Sequence, residues 1–306
     1  MLNKLYSYVK NPKKILKYIE YKWLHTTYGK KMDDAEYVKK MFKLNMDYEL
    51  DLDNPKTFNE KLQWLKLFNR KEKYTAMVDK YLSKDIVSQI IGDKYVAKVY
   101  GVWNSVDEID WDVLPEQFVL KTTHDCGGVI VCRDKGSLNL KECKRVLKQH
   151  MKREYFYHCR EWPYKNTVPK IMAEELLKDG ENNILPVYKV FCFGGEPKII
   201  QTIQNDKQIN ETIDYYDAEW NILKLKQNYP NSEKPLSKPK KLEEMLKLAQ
   251  ELSKDMAFIR VDFYTVNDEI FFSEFTFFSD AGFASFEPKE WDRKMGEWIV
   301  LPDKKA

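Results

Sequence analysis

Between Phe258 and Phe278 the chain runs through two stretches, Phe258–Tyr264 and Ile270–Phe278, in which apolar and polar residues alternate. A period of two is the mark of a half-buried strand, and two such runs around a short polar break read as an antiparallel hairpin. One face would carry Ile259, Val261, Phe263, Phe271, Phe275 and Phe277. So many phenyl rings on one side oblige the molecule to contain a sheet with an apolar cover. The other face would carry Arg260, Asp262, Glu274 and Thr276. A three-residue loop, Asn267-Asp268-Glu269, sets Asp262 opposite Glu274 and Arg260 opposite Thr276. A two-residue loop would turn Glu274 to the other face. Two carboxylates side by side repel one another unless a cation sits between them, and Mg²⁺ accepts such oxygens together with those of phosphates. The plainer reading is a solvated polar face neutralised by Arg260.

The rest of the chain alternates helix and strand signals. Ile15, Leu16, Ile19, Trp23 and Leu24 fall at helical spacing. Thr57 and Glu60 have the spacing of a capping box opening a helix to Phe68, and Asp79–Ile91 reads as a helix stopped by Gly92. Phe118–Lys121 and Val129–Arg133 read as strands, Leu140–Arg153 as a basic helix, and Lys170–Leu177 as a strand followed by a turn at Asp179-Gly180. Val187–Phe193 and Pro197–Ile203 read as a hairpin about Gly194-Gly195, and Lys241–Lys254 as an amphipathic helix. Helices first, then mixed strands and helices, predict an α+β fold. The 306 residues allow about two domains. The expected division is a helical basic region over 1–75, a first α+β unit with a glycine loop over 76–180, and a second with the carboxylate hairpin over 181–306.

With 51 basic and 48 acidic side chains, the near-neutral balance argues against a general nucleic-acid binder. The balance is uneven, because residues 1–32 hold eight lysines and one acid, Glu20. With the Ile15, Leu16, Ile19, Trp23 stripe this reads as a helix that could lie on a membrane surface; docking on the body is the plainer alternative. No secretory signal precedes it, and five unpaired-looking cysteines point to free thiols, so a cytoplasmic location, at most at the inner face of the membrane, is expected. His124, Cys126, His158 and Cys159 are conceivable zinc ligands, but their spacing fits no common pattern.

Lys121 ends an apolar strand and is followed by Thr122-Thr123-His124-Asp125-Cys126-Gly127-Gly128. Paired glycines let backbone N–H groups close over phosphates, to which a lysine adds a point charge. Neither G-x-x-x-x-G-K-[ST] nor G-x-G-x-x-G occurs.

In order, Asp79-Lys80, Lys121, the glycine loop, Glu174-Glu175-Leu176-Leu177 and the carboxylate hairpin resemble the ATP-grasp superfamily. More narrowly, the chain resembles the TupA-like ATP-grasp family of bacterial surface-polysaccharide gene clusters. The resemblance rests on Pro55-Lys56-Thr57-Phe58-Asn59-Glu60-Lys61, Asp79-Lys80-Tyr81, Tyr100-Gly101-Val102-Trp103, Tyr188-Lys189-Val190-Phe191-Cys192-Phe193-Gly194-Gly195 and Trp291-Asp292. It implies two α+β subdomains that sandwich ATP, after a helical N-terminal region. Lys80 and Lys121 would hold ATP phosphates under the His124, Gly127, Gly128 loop. Glu174 would hold the adenine end, with backbone groups of Glu175 and Leu177 reading the base. Lys189 would reach the terminal phosphate or an acyl intermediate, Arg260 would stabilise that intermediate, and Asp262 and Glu274 would bind Mg²⁺. Thr276 stands where many relatives have Asn, a weaker ligand for a second ion.

The implied activity is carboxylate–amine ligation through an acylphosphate. A uronic acid or glycan would meet an amine or amino acid, with ATP and Mg²⁺ as partners. Two other classes compete. Asp51-Leu52-Asp53 is a D-x-D of the kind nucleotide-sugar glycosyltransferases use, though here it reads as a loop. A non-catalytic scaffold would bind no nucleotide.

Overall fold

A computed structural model describes residues 12–179, 185–205 and 210–304. Residues 1–11 of the basic segment, and Gly180 of an expected turn, lie outside it. The helical region comprises α1 (Pro12–Leu24), α2 (Thr27–Lys31), α3 (Asp34–Met46), α4 (Phe58–Phe68), α5 (Lys73–Val78) and α6 (Leu82–Ile91). The strands β1 (Val99–Trp103), β2 (Phe118–Thr122) and β3 (Val129–Cys132) follow, then α7 (Leu140–His150), α8 (Phe156–Cys159) and β4 (Ile171–Glu175). Next come β5 (Val187–Phe193), β6 (Glu196–Gln204), β7 (Thr212–Tyr216), α9 (Leu242–Leu252), β8 (Phe258–Val266), β9 (Glu269–Thr276) and α10 (Glu290–Trp298). The architecture is α+β, with two antiparallel sheets ordered β1-β4-β2-β3 and β7-β6-β5-β8-β9.

Each sheet has its own core. Phe118, Leu120, Ile171 and Ala173 pack with Leu147 of α7 beneath the first sheet. The second sheet shares a larger cluster with α4, α6, α9 and α10, including Phe58, Leu62, Val87, Met245, Phe263 and Phe275. The Thr57–Glu60 capping box that opens α4 is present. The expected helix Asp79–Ile91 starts later, at Leu82. Asp79 lies beyond α5, and its carboxylate accepts from the N–H groups of Tyr81 and Leu82. Its C-terminal stop is Gly92, at φ 107°.

The carboxylate hairpin reaches its expected pairing by another route. Its turn has two residues, not three: Asn267 and Asp268, at φ 50° and 64°, with Val266 facing Glu269. Positive φ at both positions is the geometry of a tight type I′ hairpin turn. That register alone would separate the carboxylates. A bulge between Asp262 and Phe263 on the β8 side leaves Ser273 as an extra residue in β9, so Phe263 pairs with Phe272 while Asp262 still pairs with Glu274. The same shift corrects one core position, since Phe272 is buried where Phe271 was expected.

Candidate active site

Sheet register places three functional candidates in one row. Lys189 of β5 lies opposite Asp262 of β8, and Asp262 lies opposite Glu274 of β9. Arg260 and Thr276 form the adjacent pair, two residues along on the same face. Arg260 grips Asp262 with two parallel bonds, Nε to Oδ1 and Nη2 to Oδ2, both 2.7 Å. It also donates to Ser279 Oγ at 3.1 Å and Thr276 Oγ1 at 3.0 Å. The neutralising role read as the plain alternative therefore holds for Asp262. Glu274 shares in it only through space, since its carboxylate makes no hydrogen bond or ion pair with any described residue. Burial alone would raise the Glu274 pKa, but Lys80, Arg260, Lys189 and Lys121 together hold it below the usual carboxylate value. Burial, aided by Arg260, pushes Lys189 down, against the pull of Asp262 and Glu274.

A second ionic cluster joins the first sheet to α6. Glu174, 6% exposed, sits between Lys84 Nζ at 2.8 Å and Lys121 Nζ. Burial opposes its ionisation, yet the two lysines bring its pKa below normal. The backbone N–H of Glu175 donates to Lys98 O at 2.8 Å, and Leu177 follows just beyond β4. Lys84 is a participant the sequence reading missed. Its signal was only a lysine among the apolar residues of a helix, and such lysines are mostly solvated.

Lys80 reaches the glycine loop twice, with its backbone N–H on Thr123 O at 3.0 Å and its Nζ on Asp125 O. The loop is built around Asp125, 1% exposed, whose carboxylate bonds Thr122 Oγ1 and His150 Nδ1. That pairing was also missed, because no sequence pattern joins residues 25 apart. Among the described residues, Thr123 Oγ1 is buried in the loop with no partner, and the His124 ring meets no polar group beyond the Arg153 backbone. Burial lowers the His124 pKa, which keeps the ring neutral. Unmatched buried polar groups are rare in folded proteins, and a bound water, ion or ligand is one way their bonding is completed.

Gly127 has φ 100°, and a Cβ on Gly128 would stand 1.9 Å from Thr122 Oγ1. Gly128→Ala is therefore expected to displace the loop and weaken binding of a fluorescent ATP analogue by about tenfold, about 1.4 kcal/mol. Unchanged affinity would show that the loop does not contact nucleotide.

Among the described residues, no three His, Cys, Asp or Glu side chains are placed to share a metal ion. The zinc set His124, Cys126, His158 and Cys159 is thus not assembled, and all five cysteines are free thiols. Mg²⁺ asks less, since one or two carboxylates suffice when phosphates and water complete the shell. Glu274 is unbonded, and Asp262 keeps a second lone pair on each oxygen beyond its arginine bonds. This donor pair fits the ion. The D-x-D forms a turn instead: Asp51 Oδ1 accepts from the N–H groups of Asp53 and Asn54, and Leu52 is buried between them.

Comparison with known proteins gives one family match: a family described as TupA-like ATPgrasp, over residues 60–300. No curated protein matches the chain. Among solved structures, D-alanine–D-alanine ligase from Helicobacter pylori is similar at 16% identity and a TM-score of 0.42, covering 80% of this chain and 69% of that one. An L-amino acid ligase from Bacillus licheniformis is similar at 12% identity and a TM-score of 0.42, covering 71% of this chain and 47% of that one. A D-alanine–D-alanine ligase from Bacillus anthracis complexed with ATP is similar at 15% identity and a TM-score of 0.39, covering 66% and 53%. The chain thus spans about half the length of the latter two.

Proposed function

The chain belongs to the TupA-like ATP-grasp family, and from that premise we propose that it is an ATP- and Mg²⁺-dependent ligase joining a carboxylate to an amine. The observation that carries this reading is the charge set around Glu274. Lys80, Lys121, Lys189 and Arg260 all act on Glu274, while Asp280 lies in electrostatic range of Lys189 and Arg260. Four cations converging on one carboxylate that bonds no described residue suit a polyphosphate and its metal ion.

In this reading residues 76–180 and 181–306 each contribute one sheet and ATP lies between them. The glycine loop residues His124, Gly127 and Gly128 cover the phosphates, and Lys80 and Lys121 hold them. Glu174, paired with Lys121 and Lys84, helps hold the adenine end, and backbone groups of Glu175 and Leu177 read the base. Asp262 and Glu274, with Thr276 at the margin, hold Mg²⁺, which when bound offsets charge on the terminal phosphates. The substrate carboxylate attacks the γ-phosphorus and ADP leaves, giving an acylphosphate. The amine then attacks the acyl carbon and phosphate departs. Lys189 neutralises the phosphoryl group in transfer. Arg260 has committed four N–H bonds to Asp262, Ser279 and Thr276, so of its five donors one remains for the acylphosphate.

In a bacterial surface-glycan pathway the carboxylate would be that of a uronic acid and the amine that of an amino acid or amino alcohol. The test is ADP release from ATP with galacturonic or glucuronic acid and a panel of such amines. Release should need both substrates and be lost in Lys121→Ala. Release that ignores the amine would reject the ligase reading.

The N-terminal helix supports contact with a membrane surface in the same pathway. α1 docks through Leu24, buried with Tyr37 and Met41. Its other side presents Leu16, Ile19 and Trp23, which are 66%, 56% and 38% exposed. An apolar stripe beside many lysines suits an anionic lipid surface. The full chain is expected to sediment with phosphatidylglycerol vesicles, and Leu16→Glu with Ile19→Glu to abolish this. Equal sedimentation of both would reject the lipid reading. No helix among the described residues is long and apolar enough to cross a membrane.

A further inference from the structure

Glu161 lies between α8 and β4, is 7% exposed, and has a carboxylate that makes no hydrogen bond or ion pair with any described residue. An acid so placed is uncommon, because a buried charge without a partner is costly. Its charged surroundings come from three elements: Lys66 of α4, Arg260 of β8, and Asp280 just beyond β9. Neither cation bonds it directly. Lys66 Nζ is held by Gln63 Oε1 and Ala281 O, and Arg260 by Asp262, Ser279 and Thr276.

Tyr155 and Tyr164 flank Glu161. Their rings meet edge to face with centroids 4.6 Å apart. Both tyrosines are half-buried, and neither hydroxyl bonds a described residue. Both lie within electrostatic range of Glu161, Glu274 and Cys126, the last being part of the glycine loop. Three polar side-chain ends without partners thus gather beside the row of reacting groups. One is a carboxyl group and two are hydroxyls carried on aromatic rings.

We propose that Glu161, Tyr155 and Tyr164 form the subsite that receives the amine co-substrate as its ammonium ion. This rests on the ligase reading above and adds to it the place and charge of the second substrate. A carboxylate accepts the N–H bonds of an ammonium, and tyrosine rings stabilise a cation lying over their faces. The ammonium would supply the missing partner of Glu161. The two tyrosines, in electrostatic range of Glu274, would set the nitrogen toward the row, and Glu161 would take the proton that the ammonium must lose before the neutral amine attacks the acyl carbon.

Ethanolamine, an amine without an anionic group, is the probe, followed by saturation-transfer NMR with the full chain, Mg²⁺ and ADP present. Wild type should transfer saturation to ethanolamine and not to ethylene glycol. Glu161→Gln should reduce the ethanolamine signal at least about fivefold, about 1 kcal/mol, while the ADP signal stays. Equal ethanolamine signals in the two proteins, or none in wild type, would overturn the subsite. Absence of ADP signals from both proteins would instead overturn the nucleotide reading and leave the ethanolamine comparison to decide on its own.

A second measurement checks the premise that the carboxylate is unpaired. Burial pushes the Glu161 pKa up to about 7. The folded state therefore favours the protonated acid. Wild type should lose stability as pH rises from the ordinary glutamate range through about 7, and the loss should be complete above it. Glu161→Gln removes this dependence, so it should melt with wild type near pH 4.5 and several degrees higher at pH 8. Identical melting at pH 8 would mean that the carboxylate has a partner, and the subsite would fall.

Discussion

Glu274→Gln is expected to lower carboxylate- and amine-dependent ADP release by about a thousandfold, within the range seen when a preorganised charged or hydrogen-bonding group is removed from a reacting centre. Of the two carboxylates in the row, Asp262 is already bound through both oxygens to Arg260, whereas Glu274 bonds no described residue. Gln keeps its shape and removes its charge. The amide also leaves Lys189, whose pKa burial already pushes down, without one of the three carboxylates (Asp262, Glu274 and Asp280) that oppose this, and Lys80 and Lys121 lose the same neighbour. Two effects then act together: a divalent cation loses an anionic ligand, and the lysines meant for phosphate become harder to keep charged. Steady-state kinetics across Mg²⁺ concentrations would separate them, since a lost ligand is partly restored by more metal. Release within threefold of wild type at limiting Mg²⁺ would remove Glu274 from the site.

Arg260→Ala should produce the largest loss of stability of any single change in the second sheet. Asp262 is 1% exposed, and burial already holds its pKa above the ordinary aspartate value; without its main partner it would stand either unpaired or protonated. Breaking a buried ion pair from one side costs about 3–5 kcal/mol, because the remaining charge is left without water or counterion. Thr276 Oγ1 and Ser279 Oγ would lose their donor as well. Arg260→Lys should recover little of this, since an ammonium cannot make two parallel bonds to one carboxylate. Urea unfolding of the variants is the measurement. A loss below about 1 kcal/mol for Arg260→Ala, the range of an exposed pair, would show that water reaches Asp262.

The sequence revealed element types and side-chain faces more readily than contacts between distant segments. Alternation marked Asp262 and Arg260 as sharing a face, because a strand has a period of two and β8 runs unbroken between these residues and along β5. It did not reveal the length of the turn. Asn267-Asp268 is a strong type I′ pair, but the choice between two and three loop residues hinged on a bulge that has no side-chain signature. Asp125 with His150, and Glu174 with Lys84, were out of reach for another reason. Each pair is made by packing elements that lie far apart in the chain, and nothing local in either segment differs from a solvated polar residue. Glu161 was hidden in the same way, since its neighbours come from α4, β8 and the segment beyond β9.

The bulge in β9 has a consequence for how this hairpin can change over time. Turn length and the extra residue at Ser273 act as two offsets that cancel, so what is fixed is the parity of the count from Asp262 to Glu274. Loss of one residue in that interval, other than the bulged Ser273 itself, would rotate Phe275 outward and turn Glu274 into the core, as a one-residue slip does for any strand with one buried face. Loss of two, or loss in the turn matched by a gain in the strand, would leave the row of Lys189, Asp262 and Glu274 intact. Length variation between these two carboxylates should therefore occur in even steps, and an odd step should be accompanied by a gained or lost bulge nearby.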